Sequence, residues 1–209
     1  MKNYKTIAAN GIVEEDIKKS RFICHLKRVE TEEEARNYIA QIKKEHYKAN
    51  HSCSAMIIGE DGQVKRSSDD GEPSGTAGIP MLTVLEKREL TNVVAVVTRY
   101  FGGIKLGAGG LIRAYAGSVA HALDEIGTVE IKELNGIQIQ LSYSQYQTFA
   151  NFLEDKQLQE FDTQFGTEVI THVYVDKDKV ETTIADLTEF YAGKVACQKS
   201  GKQVVEVPL

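Results

Sequence analysis

The sequence predicts an α+β chain of two domains, on three observations. Residues 92–98, NVVAVVT, form an unbroken, largely β-branched run of the kind that fills a strand buried on both faces. Around that run, segments alternating with period two are interleaved with a segment whose apolar residues recur at helical spacing. Beyond Asn135-Gly136 the pattern tightens to strand, helix, strand, strand, helix, strand, the βαββαβ order of a ferredoxin-like fold. The expected boundaries are 1–133 and 134–209, and 209 residues suffice for two modest cores.

In chain order, a first strand pair is expected around Thr6–Gly11 and at Ser20–Val29, where Phe22, Cys24 and Leu26 alternate with Ile23, His25 and Lys27. Thr31 and Glu34 have capping-box spacing, and Ala35, Tyr38, Ile39 and Ile42 share one face, so Thr31–His46 reads as an amphipathic helix. His51–Ile58 alternates as a strand, Asp61-Gly62 is a hairpin turn signal, and Gln63–Arg66 returns. Ser67–Pro80 has no periodicity and reads as ordered irregular backbone before a short helix near Ala77–Lys87. After the buried strand comes the Gly-rich segment Phe101–Gly110. It leads into a helix from about Ala108 to Ile126, expected to bury Ile112, Tyr115, Ala116, Val119, Leu123 and Ile126 and to stop at Gly127. The second domain is read as strand Ile137–Tyr143, helix Ser144–Glu154 opened by Ser144 and Gln147, strands near Leu158–Phe165 and Glu168–Val175, helix Val180–Tyr191 and strand Val195–Val207.

No apolar run approaches the roughly 20 residues of a bilayer-spanning helix, and the first twenty residues lack the apolar core of a secretory signal. Three cysteines, Cys24, Cys53 and Cys197, far apart and without a CxxC pair, fit reduced thiols, so a cytoplasmic location is expected. The net charge of −5 is unevenly placed: Lys plus Arg against Asp plus Glu is 19 against 19 in 1–133 and 6 against 11 in 134–209, and all seven arginines are in the first segment. A phosphate-binding face would therefore belong to the first domain.

Two loops carry the candidate chemistry, and 11 of the 17 glycines lie between Gly59 and Gly117. The first loop, around Asp69, Asp70, Glu72, Ser74 and Thr76, could bind a hard cation or present Ser74 to a base such as His51. It matches neither the EF-hand spacing nor the G-x-S-x-G elbow, and the alternative is that its acids cap turns and the following helix. The second loop follows a buried strand and precedes a helix, an arrangement that aims backbone N–H groups at an anion. It holds Arg99, Tyr100, Gly102, Gly103, Lys105, Gly107, Gly109, Gly110 and Arg113. Because Leu106 follows Lys105, it is no Walker A loop, and the glycines do not match G-x-G-x-x-G. A phosphate, nucleic-acid or acidic-peptide site stands against glycines that only permit close helix–sheet packing. His51 and Cys53, two apart on one strand, could form a thiol–imidazole pair or simply pack, and His25, His46, His121 and His172 have no metal-ligand spacing. No cofactor or metal is expected.

SSDDGEPSGTAGIPML and VVTRYFGGIKLGAGGLIRAYAGSV, with Ser20-Arg21-Phe22 and His51–Ala55 upstream, closely resemble the YigZ/IMPACT family. That resemblance implies a first domain folded like the second domain of ribosomal small-subunit protein five and a second similar to the last domain of elongation factor G. It also implies a part in translation, since eukaryotic relatives regulate translation by binding a ribosome-associated scaffold and so restraining a stress-activated kinase. Ile79 stands where many relatives are expected to have lysine. The expected role is a non-enzymatic translation or stress regulator binding RNA, the ribosome or a ribosome-associated protein through the Gly-rich face. Arginine and tyrosine there suit RNA phosphate and bases, while the acidic second domain suits a protein partner. The alternatives are an enzyme acting on a small phosphorylated or anionic substrate at the Asp69–Gly78 and Gly102–Gly110 loops, and a protein-interaction domain alone.

Overall fold

The computed structural model describes residues 1–209. It opens with three strands, β1 (Tyr4–Ile7), β2 (Gly11–Ile17) and β3 (Ser20–Arg28). The expected single strand at 6–11 is corrected here: β2 is the hairpin partner of β3, and β1 pairs elsewhere, with Thr128–Ile131. Charged residues in the half-exposed edge strand β2 obscure its alternation. The turn is closed by Lys18 and Lys19 at φ 47° and 64°, a left-handed pair without the Asn or Gly that announces such turns.

Helix α1 (Glu32–Glu45) begins at Thr31, whose hydroxyl accepts from the Glu34 amide, while the Glu34 carboxylate accepts from the Glu30 amide. Strands β4 (His51–Ile58) and β5 (Val64–Ser68), helix α2 (Gly78–Lys87), strand β6 (Val93–Tyr100) and helix α3 (Gly107–Ile126) follow. The five strands make an antiparallel sheet in the order β2, β3, β6, β4, β5. The central position of β6 explains its composition. Val93, Ala95 and Val97 pack with Phe22, Met81, Leu85 and Tyr115 in one core, and Val94 and Val96 pack with Ala35, Ile42 and Met56 in another. Helices α2 and α3 cover the first face and α1 the second.

Helix α3 buries Leu111, Ala114, Tyr115, Ser118, Val119, Ala122 and Leu123. The expected face was thus only half placed, since Ile112 is 42% exposed. The apolar residues of α3 extend around more than one stripe, so helical spacing alone does not select the buried one.

Strand β7 (Thr128–Leu141) leads from the first core to the second, followed by helix α4 (Tyr143–Lys156), strands β8 (Phe161–Phe165) and β9 (Val169–Val175), helix α5 (Val180–Phe190) and strand β10 (Ala196–Pro208). The strand order β10, β7, β9, β8 is that of a ferredoxin-like sheet. Its core holds Ile137, Ile139, Leu141, Phe149, Phe152, Val173 and Leu187. Helix α4 starts one capping pair earlier than expected: Ser142 and Gln145, not Ser144 and Gln147, form the capping box, because both pairs have the same spacing.

The chain divides into Met1–Ile131 with Glu206–Leu209, and Lys132–Val205. Arg28 donates to both oxygens of Glu206 at 2.5 and 2.9 Å, and the Leu209 amide donates to the Thr128 carbonyl, which ties the last four residues to the first unit.

Candidate functional site

The acidic loop is built from the inside by its own carboxylates. Asp69 accepts from the amides of Gly75, Ala77 and Gly78 at 2.9, 3.1 and 2.8 Å, so it caps the start of α2 from nine residues away. Burial alone would raise its pKa, yet these three amides outweigh it and hold the carboxyl below its ordinary value. Asp70 accepts from the Ser52 amide and from Lys43, each at 2.7 Å, and its carbonyl accepts from His51 Nδ1 at 2.9 Å. That contact assigns the Nδ1 proton of His51, because a carbonyl can only accept.

Glu72 is the centre of the arrangement. It is 7% exposed and accepts from Arg99 Nη1 and from the Tyr115 hydroxyl, both at 2.6 Å. His51 Nε2 lies 3.7 Å from its other oxygen. Arg99, 6% exposed, is set between the rings of Phe22 and Phe101, with its guanidinium carbon 5.9 and 5.4 Å from their centroids. The structure thus brings Glu72, expected on the loop rim, and Arg99, expected to face a ligand, into one buried pair. Neither presents its charge to solvent. Burial first, then the neighbouring Cys53 and Glu72, pushes the Tyr115 hydroxyl far above its ordinary pKa, so it is a fixed donor.

Cys53 donates to the Asp69 carbonyl at 3.0 Å. Burial pushes its thiol up to about 12, so beside His51 it serves as a packed donor rather than a nucleophile. All three acids of the loop therefore have structural work. Thr76 is buried, its hydroxyl donating to the Pro73 carbonyl, while Ser74 is exposed. Sequence spacing showed neither Tyr115 nor His51 as partners of Glu72, because each lies far along the chain.

The Gly-rich segment is the open part of the site. Tyr100 is half-buried and shares a 2.7 Å hydrogen bond with His46 Nδ1, and Arg21 lies over its ring. A Cβ on Gly102 would come within 1.8 Å of the Lys19 carbonyl oxygen, so Gly102 exists to let the β2–β3 turn approach. Gly103 and Gly107 adopt φ of 92° and 74° with open space around them. Helix α3 begins at Leu106, which supplies no side-chain cap, and its first turn carries Gly107, Gly109 and Gly110. Lys105 and Arg113 are exposed beside it and have no acidic partner. Phe101, Ile104 and Ile112 are 44, 41 and 42% exposed over the same segment. Of the cations expected to face a ligand, Lys105 and Arg113 are therefore available and Arg99 is not.

Comparison with known proteins bears on this geometry. Residues 18–123 match the family model of the Impact N-terminal domain, and residues 139–194 match that of a domain of unknown function, DUF1949. The chain is 47% identical over 192 residues to the IMPACT family member YvyE of Bacillus subtilis, covering 92% of this chain and 88% of that protein. It is 36% identical over 197 residues to the IMPACT family member YigZ of Escherichia coli, covering 93% and 97%. A crystal structure described as that of a hypothetical protein matches 94% of this chain and 97% of its own at 36% identity and a TM-score of 0.60. Likeness over nearly the whole length, with both domain families in the same order, means that the chain belongs to the IMPACT family.

Proposed function

We propose that the protein acts in translation or its stress regulation as a binding module, holding RNA phosphate, on the ribosome or free, at the Gly-rich face of the first unit. One observation carries the reading: Lys105 and Arg113, without acidic partners, flank a helix start at which Gly107 has open space beside it and the Arg113 guanidinium lies over Gly109. Backbone N–H groups at such a start attract anions, and the two cations add charge where a phosphate would sit. Exposed Phe101 beside them offers a face on which a base can stack. Membership in the IMPACT family supports the translational setting, which the resemblance to that family implies. Arg99 enters as a positioning residue, holding Phe101 against its guanidinium.

A second reading, a ribosome-associated protein as the partner, is favoured by the exposed apolar trio Phe101, Ile104 and Ile112, a composition more usual at protein interfaces than at phosphate seats. The enzymatic alternative has less support, because Asp69, Asp70 and Glu72 are already engaged by named donors.

The test is binding of RNA and ribosomes by the whole protein across a salt series, beside a Lys105→Ala/Arg113→Ala double variant. The expected result is affinity that falls with salt, with the variant weaker and its salt slope shallower by about two, one per phosphate contact. Absence of binding to RNA and ribosomes at low salt overturns the proposal. Salt-independent capture of a ribosome-associated protein, abolished by Phe101→Ala, would establish the second reading instead.

A further inference from the structure

A cavity of about 350 Å³ opens on the α1 side of the first sheet, away from the Gly-rich face. Its wall holds three cations, Arg36, Lys43 and Arg66, three serines, three apolar residues and no carboxylate. The geometry follows from the elements. Arg36 and Lys43 are seven apart, two turns along one side of α1. The β4–β5 register sets Ser54 opposite Ser68 and Met56 opposite Arg66, so Arg66 and Ser68 stand on the same face of the sheet as Ser54 and Met56.

Two details indicate a built seat for an oxyanion. Ser54 is 4% exposed, lies on the cavity wall, and its hydroxyl has no partner within the protein. That hydroxyl is free to pair with a group that enters the cavity. Arg36 Nη2 and Arg66 Nε, from different elements, converge on a single oxygen of Glu32 at 2.9 and 3.1 Å. The arginines are thus already aimed at one anionic point, which an internal carboxylate at the cavity's edge now occupies. Lys43 is held the same way by Asp70.

We propose that this cavity binds a small phosphomonoester. Arg36 and Arg66 hold the phosphoryl oxygens, Ser54 donates to them from below, and Lys43 supplies a further charge. Planar guanidinium groups suit phosphate oxygens better than ammonium alone. The cavity is larger than a phosphoryl group needs, and Ile39 and Met56 give the remainder of the ligand an apolar wall. Glu32 is then a competitor that ligand binding displaces. The inference does not depend on RNA binding at the Gly-rich face.

The experiment is calorimetric titration of the full chain at low ionic strength with inorganic phosphate, adenosine 5′-monophosphate and adenosine. Phosphate and the monophosphate should bind and adenosine should not. Arg66→Gln should weaken the monophosphate about tenfold or more, the loss expected of one charge-assisted contact. Glu32→Gln should tighten it, by roughly threefold, because a like charge and a competitor are both removed. Lys105→Ala/Arg113→Ala should leave it unchanged, which separates this site from the Gly-rich face. Arg66 is exposed and Glu32 half-buried, and unchanged thermal unfolding verifies the fold. Failure of both phosphate and the monophosphate to bind, equal binding of adenosine, or weaker binding by Glu32→Gln overturns the proposal.

Discussion

Arg99 and Glu72 carry opposite charges into a region where neither would be stable alone, and the chemistry of the acidic loop turns on that pair. Arg99 shields its guanidinium between two rings, and Glu72 gains a second donor in Tyr115. Removing one member of a buried pair leaves the other uncompensated, so Glu72→Gln should cost about 3–5 kcal/mol of stability in denaturant unfolding. Tyr115→Phe keeps the ring and loses the hydrogen bond to a charged acceptor, which should cost about 1.5–3 kcal/mol. The two should not add, because they share Glu72. Asp69 extends the same reasoning to pH. Its folded pKa lies below its unfolded value, so its contribution to stability is fully present above pH about 4 and is lost as pH falls through the folded pKa. The gap in unfolding free energy between the protein and Asp69→Asn should be constant at neutral pH and close in strong acid. A gap unchanged down to pH about 2 would show that the amides do not favour the charged form. The sequence showed Asp69 as one possible cap of the following helix. It could not show Glu72 as the partner of Arg99, since 27 residues separate them and only the fold brings β6 over the loop.

Among the elements, the glycines divide by what surrounds them. Gly102 lies against the Lys19 carbonyl, and a methyl group there would force the β2–β3 turn away from the end of β6. Gly102→Ala should therefore destabilise the first unit by several times RT, about 1–3 kcal/mol, the range of an overpacked contact. Gly117 is an exposed residue inside α3, and a methyl group added to it would meet nothing within 4 Å. Gly117→Ala should stabilise by about 0.5–1 kcal/mol through helix propensity alone. Opposite signs from one substitution type, read by the same unfolding assay, would verify that the glycine concentration has more than one cause. Periodicity made α1, β4 and β6 legible, because each is long and has a single dominant pattern. It placed only half of the buried face of α3, where apolar residues surround most of the helix, and it missed the β2–β3 hairpin, whose turn is two lysines in a left-handed conformation. Those lysines carry no turn signal in their identity, and pairing with β3 overrides their preference.

Over the whole molecule, the chain builds three apolar clusters, one on each face of the β2–β6 sheet in the first unit and one under α4 and α5 in the second. The charge partition seen in the sequence follows that division, with the surplus of acids in the part that forms the second core. The order of elements in each part was legible from pattern and turn residues. The return of Glu206–Leu209 to the first unit was not, because its ties, Arg28 to Glu206 across 178 residues and the Leu209 amide to the Thr128 carbonyl, are far apart in the chain. Separate cores predict separate cooperative units under native conditions. Leu85 is fully buried in the first core and Leu187 in the second. Leu85→Ala should lower the opening free energy of amides in β3, β4 and β6 by about 2–5 kcal/mol, and Leu187→Ala should do the same in β7, β8 and β9. Amide hydrogen exchange reads both sets at once. If each substitution lowers only its own set, to within about 0.5 kcal/mol for the other, the units open independently. If either lowers both sets equally, the continuous strand β7 transmits unfolding between the two cores and the protein opens as one.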